Sequence, residues 1–189
     1  MRIYHNFEHL PKFRNPVVAV GSFDGVHLGH QQILAFLKKA AQRYDGESIV
    51  LTFHPHPQQV LHPERDFFLI NTPEENAELI EQQEIDNLIF IEFTTTFSQL
   101  SPNDFIKLLI EKIGIKAVVM GPRHNFGKNG EGNSTTMREI CAKNSIEIIT
   151  IPEFILEENK VRSSKIREHI VNKEFRQAEL LLGHPLKKN

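Results

Sequence analysis

Short apolar runs alternate along this chain with stretches of helical periodicity, and few architectures accept that alternation. Val17-Val18-Ala19-Val20 stops at Gly21, and Ile33, Leu34, Leu37, Ala41 and Tyr44 then recur at helical spacing, so residues 28–44 read as an amphipathic helix. Residues 48–53, 88–93, 117–120 and 146–151 are further strand candidates, rich in apolar and β-branched side chains. Between them lie helix signals. Thr72, Pro73 and Glu75 supply an N-cap, a first-turn proline and a capping box, and Ser101-Pro102-Asn103-Asp104 repeats the start. Phe105, Leu108, Leu109 and Ile113 continue that second helix as an apolar stripe. Residues 134–144 read as another helix. Two short ones follow, one beginning near Ser163 and one carrying Phe175, Leu180, Leu181 and Leu182. Residues 54–71, with three prolines and three histidines, read as an irregular loop. Strands joined by crossover helices predict an α/β fold with a doubly wound, mostly parallel sheet. In such sheets the ligand sits beyond the carboxyl ends of the strands, where strand order reverses. No repeat or linker interrupts the pattern, so residues 1–189 are expected to form a single domain.

Composition removes several classes of function. Lys and Arg number 22 against 24 Asp and Glu, which leaves no global basic field for a nucleic-acid backbone. The apolar runs are far shorter than a membrane span, and the first twenty residues carry charges where a signal peptide needs an apolar core. A lone cysteine, Cys141, cannot form an internal disulfide and reads as a packing residue, so a cytoplasmic protein is expected.

Glycine and histidine are concentrated. Of ten glycines, seven fall in two windows: Gly21, Gly25 and Gly29, then Gly121, Gly127, Gly130 and Gly132. Five of ten histidines (His27, His30, His54, His56 and His124) lie in those windows or at the start of the 54–71 loop. Glycine admits a ligand close to the backbone, and histidine offers a donor near neutral pH. Their coincidence predicts one composite site.

The segment from Gly21 to His30 joins a strand directly to a helix. Backbone N–H groups at such a helix start face an anion, and the helix dipole favours negative charge there. His27 and His30, three apart, can turn both rings towards one phosphate and stabilise charge that develops in displacement at phosphorus. A bare His-x-Gly-His tetrapeptide is more often a helix start with two solvated histidines; the strand-to-helix context favours the phosphate reading. His54, His56 and His62 could be taken for metal ligands. Pro55 and Pro57 stiffen that loop, though, and no Cys or acidic cluster joins it, so no dedicated metal site is expected.

These segments, in this order, resemble the FMN adenylyltransferase (FAD synthetase) module of bacterial bifunctional riboflavin kinase/FAD synthetases, within the His-x-Gly-His nucleotidyltransferases. Gly21 to His30 matches the family's Gly-x-Phe-Asp-Gly-Val-His-x-Gly-His, and residues 52–57 resemble its Thr-Phe-x-Pro-His-Pro loop. Residues 93–105, with Leu100-Ser101-Pro102 inside them, resemble the lead into its central helix. Val161 to Arg167 is similar to Ile-Ser-Ser-Thr-x-Ile-Arg, and Leu181-Leu182-Gly183 matches a closing Leu-Leu-Gly.

The resemblance implies a Rossmann-like nucleotidyltransferase fold and transfer of AMP from ATP to FMN, giving FAD and pyrophosphate, with Mg²⁺ carried by the nucleotide. It implies catalytic roles for His27 and His30. Gly21, Ser22, Phe23, Asp24 and Gly29 would bind ATP, and Ser163, Ser164 and Arg167 would hold its β- and γ-phosphates. His54, Pro55, His56, Pro57, Arg123, Asn125, Phe126 and Gly127 would lie beside the flavin. The expected partners are ATP and FMN, with neither nucleic acid nor membrane. The chain ends at Asn189, about where the family continues into riboflavin kinase, so that domain is expected to be absent or separate.

One loop departs from the pattern. The family's Gly-x-Asp-x-Arg-Phe-Gly-x-x-Arg-x-Gly, in which Asn sometimes replaces the Asp, is met with Arg123 at the acidic or amide position, Asn125 at the first Arg and Gly130 at the second. Arg162 likewise replaces the first Ser of the later motif. Exchanging an acceptor for a cation inverts the local hydrogen-bond logic. Two other readings therefore stand beside adenylyl transfer to FMN. One is a divergent or inactive paralogue that binds nucleotide with a different acceptor or none. The other is a related nucleotidyltransferase acting on another phosphorylated small molecule.

Overall fold

A computed structural model of the chain describes residues 1–121, 125–156 and 159–187. The strands are β1 (Arg2–Tyr4), β2 (Val17–Val20), β3 (Ser48–His54), β4 (Asn87–Glu92), β5 (Ala117–Met120), β6 (Glu147–Thr150), β7 (Ile155–Leu156) and β8 (Asn159–Lys160). The helices are α1 (Leu28–Arg43), α2 (Pro57–Leu61), α3 (Pro73–Glu81), α4 (Thr95–Ser98), α5 (Pro102–Ile113), α6 (Ser134–Lys143), α7 (Ser163–Val171) and α8 (Phe175–Leu182). Six strands form one sheet in the order β1-β4-β3-β2-β5-β6, every pairing parallel, and β7 and β8 make a separate two-stranded hairpin. This is the doubly wound α/β sheet that the alternating pattern requires. Strand order reverses at β2, whose neighbours are β3 on one side and β5 on the other.

The alternation of side chains along β2 divides the interior. Val18 and Val20 join Ile49, Leu51, Val118, Met120, Phe105, Leu109 and Met137 on one face, against α5 and α6. Val17 and Ala19 join Val50, Leu88, Val119, Leu34, Leu37 and Ile80 on the other, against α1 and α3. Four-residue strands buried on both faces carry no polar alternation, as central parallel strands should not. Cys141 is buried in the first of these layers, where burial pushes its thiol up to about 11. α7 and α8 pack together through Val161, Ile166, Ala178, Leu181 and Leu182, a third and smaller core.

Helix starts follow their signals. The Thr72 hydroxyl accepts from the Glu75 N–H while the Glu75 carboxylate accepts from the Thr72 N–H, closing the capping box. Ser101 caps α5, and Gly114 ends it in the left-handed region at φ 73°. The 54–71 segment is not wholly irregular. Pro57 opens the one-turn helix α2, capped by His56, whose ring accepts from the Gln58 N–H at 3.1 Å. Histidine is not among the usual capping residues, so Pro57 alone marks that start in the sequence. β1, α4 and the β7–β8 hairpin, two to four residues long, are too short for periodicity to announce. No helix among the described residues is long and apolar enough to cross a membrane.

Candidate active site

β2 delivers the chain to Gly21, whose N–H is bonded to the Leu51 carbonyl at 3.0 Å. The backbone then takes an unusual path: Phe23 has φ 47°, Gly25 80° and Val26 36°. For a β-branched residue such a value is a true outlier, and each such residue costs of order 1–3 kcal/mol unless its surroundings over-determine it. Here they do. The Asp24 carbonyl accepts from the Ser163 hydroxyl at 3.1 Å, and the Gly25 carbonyl lies 2.8 Å from His184 Nε2. The Val26 carbonyl accepts from the Gln31 amide at 3.0 Å, and the same amide nitrogen also donates to the Leu182 carbonyl at 2.9 Å. Three successive carbonyls are thus held by side chains, and α7 and the end of α8 fasten the loop to the C-terminal helical pair.

At the start of α1 the His27 and His30 rings stack, with centroids 3.6 Å apart and planes 11° apart. His27 Nδ1 accepts from the His30 N–H at 3.2 Å, which leaves Nε2 as the protonated nitrogen of its neutral ring. Burial pushes His27 down to about 4, helped by the nearby charges of Arg167 and His184. Burial, and then His27 itself, holds His30 well below the ordinary histidine range. The pair is therefore neutral near pH 7. His30 Nδ1 is buried without a hydrogen-bond partner, a costly state that a ligand or water would relieve.

Asp24 and Arg167, both expected at the ATP, are bound to each other. The Asp24 side chain is 1% exposed. Its carboxylate accepts from the Arg167 guanidinium and from the backbone N–H groups of Ile70 at 3.0 Å and Asn71 at 3.4 Å. Arg167 Nε donates to the Phe68 carbonyl at 2.8 Å, and its guanidinium lies 4.3 Å from the Phe67 ring centre, with His56 stacked on the same ring at 4.6 Å. Burial raises the Asp24 pKa against the pull of Arg167 and lowers the Arg167 pKa against the pull of Asp24, so each is driven towards its neutral form. The pair ties the glycine loop, the 54–71 segment and α7 together.

Two cavities open at the carboxyl ends of β2, β3 and β5. The first, about 560 Å³, is lined by Gly21, Ser22, Phe23, His27, Gly29, His30, His56, Pro57 and Asn125, together with Gly121, Val161 and Arg162. The second, about 600 Å³, is walled by Phe53, Phe93, Phe97, Phe105 and Phe126 and bounded by Gly127, Asn129 and Gly130. Val20, Phe53, Pro57, Gln58 and Asn125 belong to both, so the two volumes adjoin. Phe126 is fixed by paired backbone bonds with Gly132 at 3.0 and 2.9 Å. A β-carbon on Gly132 would lie 2.7 Å from both the ring and the carbonyl of Phe126, so glycine is needed for that close approach. Gly127, at φ 72°, turns the chain against Pro102.

Most of the expected site residues thus line one cavity or the other. Asp24, His54, Pro55, Ser163, Ser164 and Arg167 line neither, and Arg123 lies outside the described residues. Sequence reading missed Gln32, the Ile151–Phe154 stretch and Arg162 on the first cavity, and the Phe93, Phe97 and Phe105 wall of the second. A signal existed for residues 151–154. They run on from the last residue of the fifth expected strand, at the end of the sheet where ligands bind.

A family model described as FAD synthetase matches residues 10–165. A bifunctional riboflavin kinase/FMN adenylyltransferase of Listeria monocytogenes is 36% identical over 172 residues, covering 90% of this chain and 54% of that protein. An FAD synthetase of the same organism is 31% identical over 176 residues, covering 91% of this chain and 70% of that one. Among solved structures, a crystal structure described as a macrolide-efflux protein from Streptococcus pneumoniae superposes with a TM-score of 0.87 at 27% identity. It covers 97% of this chain and 60% of that one. The chain spans 54–60% of the length of the bifunctional relatives from Listeria and Buchnera.

Proposed function

This chain belongs to the FAD synthetase family, and we propose that it transfers AMP from MgATP to FMN, releasing FAD and pyrophosphate. The observation that carries the reading is the pair of adjoining cavities, one bearing stacked neutral histidines beside a helix start and the other walled by aromatic rings. A nucleotide polyphosphate suits the first, where Gly21, Ser22, Phe23 and Gly29 surround the histidines. A flavin suits the second, because aromatic side chains offer large flat faces to a ring system.

In this reading an oxygen of the FMN phosphate attacks the α-phosphorus in line and pyrophosphate leaves from the opposite side. No enzyme nucleophile is needed, since the attacking phosphate is already ionised. His27, through Nε2–H, and His30 donate hydrogen bonds to phosphoryl oxygens as charge builds on them. Because both rings are neutral before ATP arrives, they act as donors and not as fixed cations. Asn125, on the wall common to both cavities, is placed to meet the acceptor phosphate or the α-phosphate. His56, Pro57, Phe126 and Gly127 border the flavin side; Asp24 and Arg167 support the loops instead of touching substrate. Mg²⁺ enters with the nucleotide as part of the substrate.

The reading is tested by incubating the protein with MgATP and FMN and separating the products by chromatography. FAD and pyrophosphate are expected in equal amounts. His30→Ala is expected to lower turnover about 10²-fold with far-UV circular dichroism unchanged. Absence of FAD from wild-type protein under these conditions would overturn it.

A further inference from the structure

We propose that Arg162 is the side chain that receives the β- and γ-phosphates of the nucleotide, and so the pyrophosphate that departs. The inference rests on the reading of the first cavity as the ATP site. A triphosphate needs cationic partners beyond two neutral histidines. Arg167, the arginine that the sequence motif offers, is not on the cavity wall. Its guanidinium is committed to the Asp24 carboxylate, its Nε to the Phe68 carbonyl, and its flat face to Phe67. Drawing it away would strand a carboxylate that is 1% exposed, one of the most expensive single changes available to a folded chain.

Arg162 has none of these commitments. It lines the first cavity together with His27, Gly29 and His30, and its side chain is 46% exposed. As the N-cap residue of α7 it makes no side-chain capping bond. Its ion pair with Glu153 measures 3.8 Å, longer than a hydrogen bond, and Glu153 also faces Lys160 at 3.4 Å. The guanidinium fork therefore keeps donors to offer a phosphate.

Its setting is anionic in preference as well. The start of α7 adjoins the start of α1: a β-carbon on Gly29 would sit 3.7 Å from the Val161 carbonyl, and the Ser163 hydroxyl bonds the Asp24 carbonyl. Two helix N-termini thus border one cavity. Arg162 thus brings to the cavity wall a cation that the locked Arg167 does not supply.

The test measures binding of MgATP and of AMP, and the steady-state constants, in Arg162→Ala, Arg162→Gln and Arg162→Lys. Loss of one charge-assisted phosphate contact is expected to weaken MgATP by about tenfold to a hundredfold in the Ala and Gln variants. AMP, which lacks the outer phosphates, should bind within about twofold of wild type, since the contact it loses is absent. KM for FMN should hold, KM for pyrophosphate in the reverse reaction should rise in parallel with that for ATP, and Arg162→Lys should recover part of the loss. Gln keeps the side-chain length and serves if the Ala variant does not fold. An unchanged ratio of MgATP to AMP affinity, in variants of an enzyme whose wild type makes FAD, overturns the role of Arg162 alone. A wild type that neither binds MgATP nor makes FAD overturns the underlying reading of the site, and this role with it.

Discussion

Replacing Arg167 with Met tests whether the Asp24–Arg167 pair holds the site together from beneath. Methionine keeps most of the length and the apolar stem but removes the donors. The Asp24 carboxylate, 1% exposed, would then keep only the Ile70 and Asn71 N–H groups. Breaking a buried pair from one side costs about 3–5 kcal/mol, because the surviving charge is left uncompensated. For a chain of 189 residues each kcal/mol moves the melting temperature by roughly 2–4 °C, so a fall of about 10 °C is expected by calorimetry or circular dichroism. Adding Asp24→Asn to Arg167→Met removes the stranded charge and should recover more than half of the loss. The pH dependence has a definite sign. Burial already raises the Asp24 pKa, and without Arg167 it rises further, so the folded variant binds a proton more readily than its unfolded chain. Arg167→Met should therefore close part of its gap to wild type as pH falls. A variant within about 1 kcal/mol of wild type, or a double variant no better than the single one, would refute the pair as a buried brace.

Three further outcomes follow from the same geometry. His27 and His56 are each pushed down to about 4, chiefly by burial, so between about 6.5 and 4 the folded protein binds fewer protons than the unfolded chain. Their contribution to stability is complete above about 6.5 and is lost as pH falls towards 4; urea melts that are flat across this window would contradict it. Gly132→Ala would force a β-carbon to within 2.7 Å of Phe126, so KM for FMN should rise several-fold while KM for ATP holds, and an unaltered FMN constant would free Phe126 from that role. Phe97→Ala opens the aromatic wall of the second cavity and should weaken FMN by about 1–3 kcal/mol, read by flavin fluorescence titration, with AMP binding unchanged.

What could be read from the sequence follows the range of the forces involved. Four of the five sheet strands that the sequence announced are flanked by strong punctuation, and Gly21 and Gly121 both mark the carboxyl end of a strand that lines the site. Thr72 with Glu75 and Ser101 with Asp104 fixed helix starts to the residue, because capping is local chemistry. β1 was invisible: three residues, Arg2 to Tyr4, join the sheet by pairing with β4, a partner more than eighty positions away. The stacked histidines were legible as a motif. Their neutrality was not, since it comes from burial under the finished fold. Arg167 shows the same limit from the other side. The motif identifies the residue, but only the tertiary arrangement reveals that Asp24 has claimed its guanidinium. Arg162, a departure from the motif, lines the cavity instead.

The central claim is direct transfer of the adenylyl group between substrates held in adjoining cavities. It is tested most directly with ATP made chiral at the α-phosphorus by a single sulfur substitution. The configuration of the phosphorothioate in the FAD analogue formed from FMN is then assigned by phosphorus NMR. A single in-line displacement gives inversion, which is the outcome expected here. Retention would mean two displacements through an adenylylated side chain, and would contradict the account of His27 and His30 as donors.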